Sequence, residues 1–222
     1  MMKKILYNKF DKKWISNLPL VNFKGKIVVV IHPDEIPKAV DFLLQNPVLG
    51  IDTETRPSFK KGRSHRVSLL QVSTLDTCFL FRLNLTGITP DIIRLLEDVK
   101  VPKIGLSLHD DMLSLHKRAP FTPGNFIDLQ HHMKEMGIED MSLQKLYANL
   151  FHQKISKAQQ LSNWEADILT EKQKIYAATD AWACIMLYFE YQRLCATGDY
   201  ELVIVPDPNA DLQDEHDTNK EP

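Results

Sequence analysis

Residues 170–195 read as one long helix, opened by Thr170 as a side-chain cap ahead of Glu171, Lys172 and Gln173. Its middle, Ile175 to Phe189, is an otherwise apolar stretch that carries Asp180. A carboxylate held among apolar side chains costs free energy unless it is paired or bound to a cation. Any fold open to this chain must therefore bring a partner to Asp180. Tyr176 lies one turn earlier, at i and i+4, on the same helix face. Small neighbours, Ala177, Ala178 and Ala181, let that face approach another element closely.

The rest of the chain offers partners of one kind. Val48-Leu49-Gly50-Ile51-Asp52-Thr53-Glu54 reads as a strand, and alternation puts Asp52 and Glu54 on one face. Adjacent carboxylates repel, and a hard divalent cation with its appetite for oxygen ligands would resolve the conflict. Read alone, the pair fits a solvated strand end better. Further on, Gly105-Leu106-Ser107-Leu108-His109-Asp110-Asp111-Met112 runs from a strand into a helix start. There Asp110 or Asp111 reads as well as a cap as it does as a ligand. Taken together, the acids suit phosphoryl transfer by two metals spaced ~3.5–4 Å apart around one phosphate.

The order of elements sets the architecture. Strands are expected at 26–31, 48–54, 66–73, 77–83 and 103–107, with helices at about 34–44 and 90–98 and from about Asp110. Beyond Asp128 the pattern turns helical, at 128–136, 142–150 and 170–195, before a short strand at 201–205. This order predicts an α/β fold, a mixed sheet flanked by helices. Three cysteines without CxxC spacing argue against a disulfide framework or structural zinc and fit a reducing, cytoplasmic setting. His109, His131, His132 and His152 are not spaced as metal ligands. No apolar run is long enough to span a membrane, and the start lacks the apolar core of a secretory signal.

Charge is distributed unevenly. The net charge is −2, yet from Pro206 onward six acids face one base, and the remainder carries +3. The first thirty residues hold seven lysines and one acid. A mildly basic body permits a polyanionic substrate without requiring one. Three regions are expected: a basic extension at 1–25 anchored by Trp14, Ile15, Leu18 and Leu20, a single domain at 26–205, and an acidic tail at 206–222. The tail is expected to be disordered and to aid solubility, with nucleic-acid mimicry or a protein partner as alternatives.

The three acidic segments resemble the three exonuclease motifs of the DEDD superfamily. The match runs over about residues 26–196, with Val67-Ser68-Leu69-Leu70-Gln71-Val72, Ser162-Asn163-Trp164 and Leu169-Thr170-Glu171 as supporting segments. Tyr176-x-x-x-Asp180 places it in the tyrosine branch, since the histidine branch has a His where Ile175 stands here. Within that branch it resembles the exonuclease domain of the Werner-syndrome helicase and, more distantly, ribonuclease D. The resemblance implies a ribonuclease-H-like fold and two divalent cations, Mg²⁺ or Mn²⁺. It further implies hydrolysis from a 3′ end with release of nucleoside 5′-monophosphates, on DNA rather than RNA. Asp52, Glu54 and Asp180 would hold the metal carrying the nucleophile. Asp52 would bridge to the second metal, Asp111 would assist through water, and Tyr176 would orient the attacking water. Asp111 aligns better than Asp110, because Asp-x-x-x-Leu follows.

Candidate contacts to the nucleic acid are Lys60, Lys61, Arg63 and Arg66 after the first motif, and Lys154 and Lys157 before the third. Phe59 or Trp164 is a candidate to stack on a terminal base, with core packing as the other reading of each. The rivals in function are a catalytically silent binding module on the same fold and a ribonuclease-D-like RNA-processing enzyme.

Overall fold

The computed structural model describes residues 3–60, 62 and 64–206. In chain order the elements are β1 (Lys4–Tyr7), α1 (Lys12–Ile15), β2 (Lys26–Val30), α2 (Ile36–Leu43), β3 (Leu49–Thr55), β4 (Val67–Ser73) and β5 (Thr77–Phe81). There follow α3 (Leu83–Thr86), α4 (Pro90–Glu97), β6 (Lys103–Gly105), α5 (Leu108–His116) and β7 (Phe126–Asp128). The chain ends in α6 (Leu129–Glu135), α7 (Leu143–Phe151), α8 (Glu171–Thr197) and β8 (Tyr200–Val203).

Six strands form the central sheet in the order β2-β5-β4-β3-β6-β7. The pairs β5–β4 and β4–β3 are antiparallel, and β2–β5, β3–β6 and β6–β7 are parallel. Helices cover both faces, as mixed and parallel sheets with apolar strands require. On one face Ile51, Val72 and Phe81 pack with Val40 and Leu43 of α2 and Leu95 and Leu96 of α4. On the other, Leu69, Leu80 and Ile104 meet α8 through Ala177, Ala178 and Ile185. Each of the Val, Leu, Ile and Phe side chains among these, taken fully out of water, contributes about 1.5–3 kcal/mol. α8 is held at its start by the expected capping box, in which Thr170 and Gln173 satisfy each other's backbone amides.

The region read as a basic extension carries structure of its own. β1 pairs in parallel with β8, Lys4 opposite Tyr200 and Tyr7 opposite Val203. Lys4 also forms an ion pair with Glu190 of α8. Ile15 is buried as expected, but Trp14 and Leu20 are about half exposed, and the anchors are instead Leu6, Phe10 and Phe23. The tail from residue 207 lies outside the described residues. Among the described residues no helix is long and apolar enough to cross a membrane.

Candidate active site

The site forms where β3 and the middle of α8 press together. Gly50 makes that approach feasible, because a Cβ there would lie 1.9 Å from the Ala181 carbonyl oxygen. Gly50, Asp52 and Glu54 share a face by alternation, so the glycine contact brings α8 down beside the two acids. Asp180, next to Ala181, completes a cluster with Asp52 and Glu54 in which one carboxylate oxygen from each lies within 4.8 Å of the others. A bulge in β3 between Glu54 and Thr55 ends the regular pairing with β4 just past the acids.

Asp111 reaches the site from the first turn of α5. Its carboxylate accepts a hydrogen bond from the Thr53 hydroxyl, on the opposite face of β3 from Asp52. It is not one of the three clustered oxygens, but its charge is felt by both Asp52 and Glu54. Asp110, the other candidate in that segment, is exposed.

Burial raises every one of these carboxyls, and the neighbouring acids of the cluster add to it at Asp52 and Glu54. Asp52 sits well above the usual range, through burial first and then the charges of Asp111 and Asp180. Glu54 is pushed up to about 10, by burial and then by Asp52, Asp180 and Asp111. Asp180 rises to about 7 through burial, partly offset by the Tyr176 phenol and the Lys157 ammonium. Asp111 rises to about 6 through burial, against the pull of the Thr53 hydroxyl. Tyr176 is raised as well, by burial and the carboxylates around it, so its phenol keeps its proton. One oxygen of Asp180 is buried with no hydrogen-bond partner in the protein. A set of hard oxygen donors, too close to ionise together and one of them orphaned, fits a divalent cation.

Asp52, Glu54 and Asp180 line a cleft of about 390 Å³ together with Met141, Ser142, Gln144, Ile155, Ser156 and Lys157. Of the expected phosphate-binding residues, Lys157 stands on this cleft, exposed, with its ammonium 3.4 Å from the Ser142 hydroxyl. Lys60 lines a neighbouring hollow with Arg56, Phe59 and His65, where Phe59 is 85% exposed. Arg66 is exposed nearby, and Lys61 and Arg63 lie outside the described residues.

One expectation is corrected. Trp164 has no exposed surface and packs against Tyr176 at 6.0 Å, so it belongs to the core and is out of reach of a base. Lys154 does not line this cleft; its ammonium donates to the Ser16 carbonyl and its backbone bridges to Leu20 and Val21. Other residues went unnoticed in the sequence. Glu165 ties the loop after β3 to the loop before α8, accepting from Arg56 at 3.2 Å and meeting His65 at 3.2 Å. Arg82, buried, donates to the carbonyls of Ala166 and Asp167 and fixes that second loop. Neither role has a local signal, because both partners lie far along the chain. His131 and His132 face Glu135 on α6, remote from the acidic cluster.

Comparison with known proteins gives the same answer as the geometry. A model of the 3′-5′ exonuclease family matches residues 27–194. The chain is 30% identical over 194 residues to the Mus musculus bifunctional 3′-5′ exonuclease/ATP-dependent helicase WRN, covering 83% of this chain and 14% of that protein. It is 35% identical over 153 residues to exonuclease 3′-5′ domain-containing protein 2 of Drosophila melanogaster, covering 67% of this chain and 25% of the relative. The chain thus spans a quarter or less of these two relatives. In three dimensions it resembles the Aedes aegypti Nibbler EXO domain, with TM-score 0.72, 19% identity, and 87% and 98% of the two chains covered. It also resembles Escherichia coli RNase D, with TM-score 0.66, 17% identity, and 78% and 47% covered. These likenesses establish the ribonuclease-H-like exonuclease fold. With the family match spanning most of its length, this chain belongs to the 3′-5′ exonucleases of the DEDD superfamily.

Proposed function

We propose that this chain hydrolyses nucleic acid from the 3′ end by two-metal catalysis, with DNA preferred to RNA. The observation that carries this reading is the knot of Asp52, Glu54 and Asp180, whose oxygens lie within 4.8 Å of one another in a buried, strongly proton-retaining setting. Members of the family use divalent ions, and Mg²⁺ or Mn²⁺ suits the all-oxygen donor set. Asp52, Glu54 and Asp180 would hold one ion, and Asp52 with Asp111 would serve the second. When bound, such ions lower the pKa of a water and stabilise a leaving 3′ oxygen.

The protein's own groups then do the rest. Tyr176, kept protonated by its surroundings, presents a phenol O–H beside Asp180 that can orient the attacking water. Lys157, exposed on the cleft, would meet a phosphate of the substrate. The preference for DNA is supported by the likeness to DNA polymerase I of Aquifex aeolicus, 27% identical over 152 residues. RNA is the alternative, supported by likeness to a Trypanosoma brucei RNase D solved with RNA U12 (TM-score 0.66). A cytoplasmic setting belongs to the same proposal, supported by three free cysteines.

The test is digestion of 5′-labelled DNA and matching RNA in Mg²⁺, Mn²⁺ and EDTA, beside Asp52→Ala. The expected result is a metal-dependent ladder shrinking from the 3′ end, stronger on DNA and absent in the variant. Products of equal size in EDTA, or an active Asp52→Ala protein, would overturn the metal chemistry. A stronger ladder on RNA would overturn only the substrate preference.

A further inference from the structure

Ser107 stands between β6 and α5 with φ 61 and ψ 40, one of two non-glycine residues in the left-handed region among the described residues. A serine is held in that region only where its surroundings over-determine it. Ser107 occupies the cap position of α5, yet its own side chain makes no cap bond. The exposed amides at the helix start are taken instead by Asp128, twenty residues further on. One Asp128 oxygen accepts from the Ser107 amide at 3.0 Å and from the Gln130 amide at 2.9 Å. The other oxygen accepts from the Leu108 amide at 2.9 Å. The Gln130 side-chain amide donates to the Ser107 hydroxyl, closing the turn from a second direction.

An aspartate that merely capped α6 would need only the Gln130 amide. The two bonds to Ser107 and Leu108 serve α5, whose first turn carries Asp111. The far side of Asp111 is held by the Thr53 hydroxyl. Between these anchors there is little room for adjustment: Leu108 is pressed onto Gly105, where a Cβ would lie 2.3 Å from the Leu108 side chain. Asp128 itself neither lines the cleft nor contributes to the clustered oxygens.

From this geometry we infer that Asp128 is a positioning residue for Asp111, fixing the left-handed turn that delivers this carboxylate to the metal-binding cluster. The inference rests on the exonuclease reading only for what Asp111 does there. An external carboxylate replaces a local cap, so the angle at which α5 leaves the sheet depends on β7 as well as on its own sequence.

The test uses the full chain and three variants: Asp128→Asn, Ser107→Gly, and the two combined. Asparagine keeps the shape but offers an NH₂ where an amide now donates. Asp128→Asn should weaken the weaker Mn²⁺ binding step, read by calorimetry, by roughly 10–100-fold. It should lower kcat by a similar factor with KM changed less than about 3-fold. Amide exchange at 107–111 should quicken while α8 stays protected. Glycine adopts the left-handed turn freely, so Ser107→Gly in the Asp128→Asn background should restore much of the Mn²⁺ affinity. Wild-type Mn²⁺ binding and exchange in Asp128→Asn would overturn the inference. So would a defect that Ser107→Gly leaves untouched, as loss of α6 capping alone would give. Should Asp128→Asn fail to fold, Ser107→Val must reproduce the Mn²⁺ and exchange defects, and a wild-type-like Ser107→Val overturns the inference. Absence of nuclease activity in the wild type would sink the proposed function, while exchange at 107–111 would still decide the positioning role.

Discussion

Replacing Asp180 by asparagine should stabilise the metal-free protein while removing its catalysis. Its carboxyl is displaced from 3.8 to about 7, chiefly by burial. Between those values the folded protein holds a proton that the unfolded chain has released. Folding therefore takes up protons there, and stability falls as pH rises. The penalty is absent below the unfolded value and complete above about 7. At about 1.4 kcal/mol for each pH unit, it amounts to on the order of 4 kcal/mol at alkaline pH. Asparagine carries no charge, and its NH₂ can donate towards Asp52 or Glu54. With about 2–3 kcal/mol of this recovered, the melting temperature should rise by roughly 5–10 °C for a chain of this length. Scanning calorimetry in EDTA at about pH 8 reads the difference directly. At about pH 4 the two proteins should converge, and Mg²⁺ should stabilise the wild type far more than the variant. Equal melting temperatures in EDTA at the higher pH would refute the reasoning, as would a gain of the same size at the lower one.

Tyr176→Phe should lower kcat by about 10²-fold, with Mn²⁺ binding by calorimetry unchanged, as the proposed role of the phenol in orienting water requires. Lys157→Met should raise KM and make the salt dependence of nucleic-acid binding shallower by about one unit in log–log slope, read by fluorescence titration across salt concentrations. Gly50→Ala should cost more than about 3 kcal/mol, since its Cβ would fall 1.9 Å from the Ala181 oxygen; denaturant melts that match the wild type would refute the close contact.

The parts of this molecule that were legible in the sequence are those written in short range. Alternation in β3 put Asp52 and Glu54 on one face, and the run of α8 isolated Asp180 among apolar neighbours. The Thr170 capping pattern located the helix start to within a residue. Long-range bonds left no such trace. α5 was expected from about Asp110, on the view that an aspartate in its own sequence caps it, whereas it starts at Leu108 because Asp128 supplies the acceptors. β7 went unseen, and Asp128 was assigned to a helix, because three residues give no alternation to read. β1 was hidden for a related reason: four residues among charges find their partner 196 positions later. Trp164 shows the limit for single side chains, since only packing distinguishes a base-stacking indole from a core one.

The pairing of β1 with β8 has a mechanical meaning. The two strands run in the same direction, with Lys4 beside Tyr200 and Tyr7 beside Val203. The chain enters at one end of this pair and leaves at the other. A pull on the flanking polypeptide would slide the strands along each other, loading their hydrogen bonds together rather than opening them one at a time. The link between Lys4 and Glu190 stands at the entering end and would share that load. Because Glu190 and Asp180 lie on the same helix, the share of load taken by this link would run into α8, while the share borne by the strand pair would stay at the edge of the fold.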